Sequence, residues 1–330
     1  MLLVSTQLIA EEAVKRGWRV EPLDERFIST LAITPPGSRT YYFDSVQPPF
    51  TSAAAVIIAD NKLATYLIAQ RLGIPVADFI MHDPHNVQAS HDFLRAQLEA
   101  GYELVVKPID TNHGDGITVG VRTAAAFADA LDHAHQHSSR ILVQQRAVGA
   151  DCRVVVVNGK VIAAARRDPA WVVGDGVHTI EQLVEQENSR PHRGVGYAAR
   201  TAVTQIDLAS VQRYLGERMH DIPKKDETVE VLAIANISKG GKATDITNEL
   251  HPTIAQAAVK ITNALDMYLC GVDFLLRDHT KPLDATNGTL LEINATPGLR
   301  MHHFPLHGTP RNVAAAILDG LSDRISSTNR

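Results

Sequence analysis

Cysteine is almost missing from this chain: among 330 residues there are only Cys152 and Cys270, each in an apolar, strand-like setting. A secreted disulfide scaffold needs a denser cysteine pattern, so a reducing, cytoplasmic setting is expected. Long apolar runs are missing too. The longest, AAAVIIA at 53–59, is far short of a membrane span, and no membrane partner is expected. The opening MLLVSTQLIAEEAVKRGW reaches Glu11 and Glu12 without a basic leader, and reads as an amphipathic helix rather than a signal peptide. Surplus positive charge is absent: 32 Lys and Arg against 37 Asp and Glu give a formal charge of −5. That leaves no electrostatic footprint for a nucleic acid. Neither an internal repeat nor a low-complexity segment occurs, and no serine nucleophile elbow or Cys–His pair stands out.

What is present is ample core material, 45% hydrophobic against 21% charged residues, enough for two or three lobes of an α/β fold. Residues 1–60 alternate a helical opening with short β-rich segments punctuated by Pro35-Pro36-Gly37 and Pro48-Pro49. Asp60 stands as the N-cap of a helix whose stripe is Leu63, Leu67, Ile68 and Leu72, ended by Gly73 and Pro75. A helix at about 87–100, a strand YELVVKPI, a strand at 117–121, a helix at about 123–137 and a strand RILVQQ follow. Asn158-Gly159 between DCRVVVV and KVIAAARR is the residue pair of a type I′ hairpin turn. Further helices are expected at about 208–218, 251–266 and 310–321.

Three features point to a polyanion and its metal. Lys107, in VVKP, ends a β-rich run where Pro108 stops the ladder, so its charge projects from a rigid base. Close behind, DTNHGDGITV places Gly114 and Gly116 where backbone N–H groups can approach phosphate oxygens; this pair fits neither the P-loop nor the G-x-G-x-x-G spacing. Third, Asp273 in GVDFLL and Glu292 with Asn294 in LEIN lie on successive strand-like runs. Residues i and i+2 of a strand share a face, so antiparallel pairing brings together three oxygen donors of the kind that Mg2+ takes. The same spacing also describes strand-edge residues that face water. His133 with His137, and Met301, His302, His303 and His307, invite a zinc reading, but no cysteine or acidic ligand follows at zinc spacing. Surface histidines account for the first cluster and a substrate-facing turn for the second.

Taken in order, Lys62, VVKP, NHGDGITV, LVQQRAVGADCRVVVVNGKVIAAARRDP, VVGDG, ANISKGGKATDITNELHP, GVDF, and LEINATPGLRMH with GTPRNVA resemble an ATP-grasp ligase. The set is most similar to the ATP-grasp module of cyanophycin synthetases, and next to the ATP-grasp half of bifunctional glutathione synthetases, over roughly residues 55–320. The resemblance implies two α/β lobes clamping ATP: an N-lobe at 59–140 and a C-lobe at 141–330 with a helical insertion at about 174–220, preceded by a small α/β N-terminal domain at 1–58. It implies that Lys62 and Lys107 hold ATP phosphates, and that His113, Gly114 and Gly116 lie in the loop covering them. Gln144, Gln145, Arg146, Ala147 and Val148 would form the adenine hinge, with Asp151 near the ribose. Asp273, Glu292 and Asn294 would hold two Mg2+ ions, for which Mn2+ substitutes. Arg153, Arg166, Arg300 and Asn236, with the loop Ser238, Lys239, Gly240 and Gly241, would face the transferring groups.

The implied reaction phosphorylates a carboxylate of an amino acid or small peptide, and an amine then attacks the acyl phosphate. The family's habit favours a homodimer. Two departures bear on specificity: Gln144 stands where the hinge usually has glutamate, and Lys239 where the substrate loop usually has threonine, a change suited to an acidic substrate. The chain ends at Arg330 without a Mur-ligase-like half, so cyanophycin itself is not the expected product. The alternatives are a glutathione-synthetase-like activity on a γ-glutamyl dipeptide, or a nucleotide-binding regulatory module without catalysis.

Overall fold

A computed structural model describes residues 3–23, 29–111, 115–196 and 200–328; His113 and Gly114 lie outside them. Helix α1 (Val4–Lys15) buries Val4, Leu8, Ile9 and Ala13 at helical spacing. Strands β1 (Arg19–Pro22), β2 (Thr30–Thr34) and β3 (Tyr41–Asp44) form an antiparallel sheet in that order. In β3 the alternation is plain, with Tyr41 and Phe43 buried, Tyr42 and Asp44 exposed. Leu31, Ile33 and Phe43 share one core with Val155, Tyr268, Ile317 and Leu321, so the N-terminal segment is sealed onto the far end of the chain.

Helix α2 (Ala53–Asp60) and helix α3 (Lys62–Arg71) are split by Asn61, which is extended and accepts a hydrogen bond from Ala64 N at 3.1 Å. The cap is therefore Asn61; Asp60 is the last residue of α2. Of the expected stripe, Leu63, Ile68 and Leu72 are half-buried and pack on the core. Thr65, Tyr66 and Ala69 are the buried residues of α3, whereas Leu67 is 46% exposed. Tyr66 wins the inward face because its ring buries more apolar area than a leucine and its hydroxyl finds partners inside.

The second sheet joins β4 (Phe79–Met81), β5 (Leu104–Pro108), β6 (Thr118–Val121) and β7 (Ile141–Gln145) in the order β4-β7-β5-β6. Helices α4 (Val87–Glu99) and α5 (Ala124–His135) close it around Leu94, Leu104, Val106, Phe127, Ile141 and Val143. Because β7 lies between β4 and β5, this sheet extends to Gln145 instead of stopping at 140.

The largest sheet begins as a hairpin of β8 (Ala150–Val157) and β9 (Lys160–Asp168), whose turn residues Asn158 and Gly159 have φ of 47° and 73°, as a type I′ turn requires. An excursion then adds β10 (Trp171–Val173), α6 (Ile180–Asn188), β11 (Arg193–Gly194), β12 (Val203–Thr204), α7 (Leu208–Leu215) and β13 (Thr228–Glu230). Its own core runs from Ala170 to Leu232, wider than the helical insertion expected at 174–220, and Thr179 with Gln182 forms a capping box at the start of α6. The chain returns as β14 (Lys242–Asp245), and after α8 (Pro252–Ala264) come β15 (Leu269–Leu276) and β16 (Gly288–Asn294), completing the order β14-β9-β8-β15-β16. Helices α9 (Arg300–His303) and α10 (Val313–Thr328) follow. Ile254, Ala258 and Ile261 of α8 pack on Val154, Val156 and Ala164, while α2 and α3 lie against the edge strand β16.

Candidate active site

Asp273 lies on β15 of the largest sheet, with Arg153 of β8 opposite on one side and Glu292 of the edge strand β16 opposite on the other. Directly paired residues project to the same face. Arg153 grips the carboxylate with both arms, Nε to Oδ1 at 2.7 Å and Nη2 to Oδ2 at 2.6 Å, and Arg167 Nη2 donates to Oδ2 at 2.9 Å. Burial alone would raise the Asp273 pKa, but the two guanidinium groups outweigh it and hold the carboxyl below the usual range. Arg167 also pairs with Asp151, whose carboxyl is pushed up by burial and by the Asp273 charge against the pull of Arg167. Asp151 thus belongs to a buried ion network.

Arg166 does not join this group. Its register partner is Cys152, on the opposite face from Arg153, and it bonds Asp168 at 3.1 Å. The residue that reaches Asp273 is Arg167, one position on, because a one-residue step along a strand reverses the face.

Asn294 Nδ2 lies 3.3 Å from both Asp273 Oδ2 and Glu292 Oε1. The three expected metal donors therefore converge. The Asn294 amide nitrogen faces the carboxylates; with the amide turned over, two carboxylates and an amide oxygen would form the hard-oxygen set that suits Mg2+. Asn294 is needed to complete it, since no cluster of three or more His, Cys, Asp or Glu forms among the described residues. With both Asp273 oxygens engaged by arginine, Glu292 and Asn294 are the more open donors.

Lys107, at the end of β5, is 4% exposed. Its ammonium donates to the Tyr66 hydroxyl at 2.9 Å, and that hydroxyl donates to Leu291 O at 2.8 Å and approaches Gln144 Oε1 at 3.4 Å. Lys62 opens α3 and donates to Thr111 O at 2.6 Å. Burial lowers its pKa, as does the charge of Lys107, against the opposing charges of Glu292, Asp110 and Asp60. Neither lysine has an ion-pair partner among the described residues. Gly116 has φ of 72°, and a Cβ there would lie 2.9 Å from Pro108 and His137, so only glycine fits where the loop returns to the strand end.

Gln144 is buried at the end of β7, and Arg146 Nη1 pairs with Glu103. Gln145, Ala147 and the exposed Val148 complete the link from the second sheet to the third. Gly149 passes so close to Leu276 that a Cβ would meet its backbone at 2.6 Å.

The Ser238–Gly241 loop is more self-contained than expected. Asn236 Oδ1 accepts from Ser238 N at 2.9 Å, Asn236 O from Lys239 N and Gly241 N at 3.1 and 2.9 Å, and Ile237 O from Gly240 N at 3.4 Å. Its N–H groups are thus engaged within the loop, and the Lys239 side chain is exposed. Arg300 is buried and donates to Ile237 O at 3.3 Å. The neighbouring His302 is no substrate-facing turn residue: it is 2% exposed, and burial, with the Arg153 charge, pushes its pKa down to about 3. His133 and His137 are exposed, their rings edge to face at 5.5 Å. Sequence reasoning missed Tyr66, Arg167 and Arg193. Tyr66 had one available signal, its i+4 spacing from Lys62 on a single helix face.

The two α/β lobes around this cleft form an ATP-grasp fold. A family described as "RimK-like ATP-grasp domain" matches residues 233–320, and one described as "D-ala D-ala ligase C-terminus" matches 68–175. A cyanophycin synthetase from Trichormus variabilis is 36% identical over 322 residues, covering 96% of this chain and 35% of the relative. The bifunctional glutathione biosynthesis protein of Mannheimia succiniciproducens is 31% identical over 338 residues, with 96% and 42% covered. Among solved structures, a bifunctional glutathione synthetase from Pasteurella multocida superposes with a TM-score of 0.70 at 30% identity, over 98% of this chain and 44% of that one. A D-alanine–D-alanine ligase from Bacillus anthracis, at TM-score 0.50 and 13% identity over 85% and 72% of the two chains, shares the fold. The chain spans 35–42% of the length of these curated relatives. No described helix is long and apolar enough to cross a membrane.

Proposed function

We propose that this chain is an ATP-dependent carboxylate–amine ligase that joins an amino acid or small peptide to an amine through an acyl phosphate, releasing ADP and phosphate. The observation that carries the reading is the buried Lys107 and the half-buried Lys62, neither in an ion pair among the described residues, with Glu292 in electrostatic reach of Lys62. Two lysines outside any ion pair, beside an oxygen-donor set, make a site for a polyanion with its metal.

In this reading Lys62 and Lys107 hold phosphate oxygens, with Tyr66 fixing the Lys107 ammonium. Gln144 meets the adenine edge. Glu292 and Asn294, with Asp273, would hold two divalent ions, Mg2+ or Mn2+ in its place, which would supply positive charge to the phosphate oxygens. Arg153 and Arg167 keep Asp273 ionised and aimed. Arg300 lies beside the loop, where negative charge builds on the acyl phosphate and the tetrahedral adduct; losing such a donor costs on the order of 100-fold in rate. The amine loses its proton on attack, and phosphate leaves with the bonding pair of the acyl C–O bond.

The test is an ADP-release screen over amino-acid and dipeptide pairs with Mg–ATP, followed by mass spectrometry of the product. The superposition on a bifunctional glutathione synthetase supports one particular arm, a γ-glutamyl dipeptide with glycine. ATP binding without stimulated release by any pair contradicts the ligase reading and favours a regulatory nucleotide-binding module.

A further inference from the structure

The Ser238–Gly241 loop is held from outside by the excursion between β9 and β14. Three loop carbonyls point into it. Ile237 O accepts from the Thr204 hydroxyl at 2.6 Å, Lys239 O from Asp207 N at 3.4 Å, and Gly240 O from Arg193 Nη1 at 3.2 Å. Arg193 Nη1 also donates to Thr204 O at 2.7 Å, while its Nε and Nη2 rest on Glu187 Oε1 at 3.1 and 3.0 Å. The Arg193 side chain is fully buried, and Glu187, the last acidic residue of α6, also receives Arg190 and His192. Gly240 has φ of 105°, and a Cβ there would lie 2.7 Å from Ile206 Cα. The loop is thus seated tightly on the excursion's backbone.

We infer that Arg193 is a positioning residue: it transmits the placement of α6, through Glu187, to the Gly240 carbonyl and so sets the conformation of the loop. This rests on the reading above in that the loop faces the carboxylate or amine substrate. The hydrogen bonds of Arg193 run to Glu187, Thr204 and Gly240. A guanidinium suits the task because its rigid fork serves a carboxylate and two carbonyls at once, which a lysine cannot do. Because the loop's own N–H groups are bonded inside it, their exchange with solvent reports directly on whether the outside grip persists.

The test is hydrogen–deuterium exchange on the full chain for wild type, Arg193→Met and Thr204→Val, the second variant removing only the hydroxyl that holds Ile237 O. Expected is exchange at 237–241 faster by at least about tenfold in both variants, with 180–188 unchanged. If Arg193→Met loosens the whole excursion, Arg193→Lys, which keeps the charge and loses the fork, decides. Unchanged protection at 237–241 in a folded variant overturns the inference. In the ADP-release assay, KM for ATP stays within about twofold while substrate-stimulated turnover falls about tenfold, and Arg193→Lys recovers only part of it. A wild-type chain with no stimulated release sinks the ligase reading alone, and the exchange result still decides the role of Arg193.

Discussion

Tyr66→Phe removes one oxygen from the middle of the cleft and nothing else. The ring stays, so its tilted contact with Phe79 at 5.4 Å and its apolar burial are preserved. What is lost is the donor to Leu291 O and the acceptor for Lys107 Nζ, at 2.8 and 2.9 Å. A carbonyl left without its donor costs about 1–3 kcal/mol, and the bond to a charged group adds a comparable amount, so the sum is about 2–4 kcal/mol once residual solvation of Leu291 is allowed for. Urea unfolding is the assay: the midpoint falls while the slope stays at the wild-type value, because the surface exposed on unfolding hardly changes. Nucleotide binding weakens in parallel. With the ammonium no longer anchored, Mg–ATP affinity drops about tenfold, or 1.4 kcal/mol. A Tyr66→Phe variant within about 0.5 kcal/mol of wild type, with unchanged nucleotide affinity, refutes the claim that this hydroxyl ties the lysine to β16.

Further expectations concern the buried charges. Asp273→Asn leaves Arg153 and Arg167 facing a neutral amide, and stability falls by about 3 kcal/mol, the low end for breaking a buried pair, because one oxygen acceptor remains. Since the folded-state pKa of Asp273 is depressed, the wild-type advantage is present above pH 3.8 and disappears as pH falls through the lower folded value, which urea titrations at several pH values measure. His302 behaves oppositely in origin but alike in direction. Its pKa is pushed down to about 3 from 6.5, so between those values the unfolded chain holds a proton that the folded chain excludes, and stability falls as pH drops. His302→Leu flattens that acid limb by up to ~1.4 kcal/mol per pH unit.

Much of the scaffold was legible because local chemistry and tertiary context agree. Asn158-Gly159 demanded a I′ turn, and the spacing of Glu292 and Asn294 placed both on the face that Asp273 shares. The differences between expectation and structure have physical causes. Arg166 and Arg167 differ only in strand parity, which no composition reveals. The α2–α3 break falls on Asn61, where a side-chain cap displaced Asp60 by one position. Tyr66 reads as an ordinary aromatic until Lys107 and Leu291 arrive from distant segments. The grip on the Ser238–Gly241 loop is invisible in sequence, since Glu187, Arg193 and Thr204 meet it only through the excursion's fold. Domain edges shifted for a related reason: β7 follows the expected boundary in sequence yet pairs inside the preceding sheet.

In the proposed function a triphosphate and its metal share one site between Lys62 and Lys107 on one side and Glu292 and Asn294 on the other. Calorimetric titration of ATP into wild type, Lys107→Met and Glu292→Gln, each with and without Mg2+, tests it most directly. Lys107→Met is expected to weaken ATP binding under both conditions, and Glu292→Gln to remove the gain in affinity that Mg2+ confers on wild type. Equal ATP affinity in all three proteins, or an undiminished Mg2+ effect in Glu292→Gln, contradicts it.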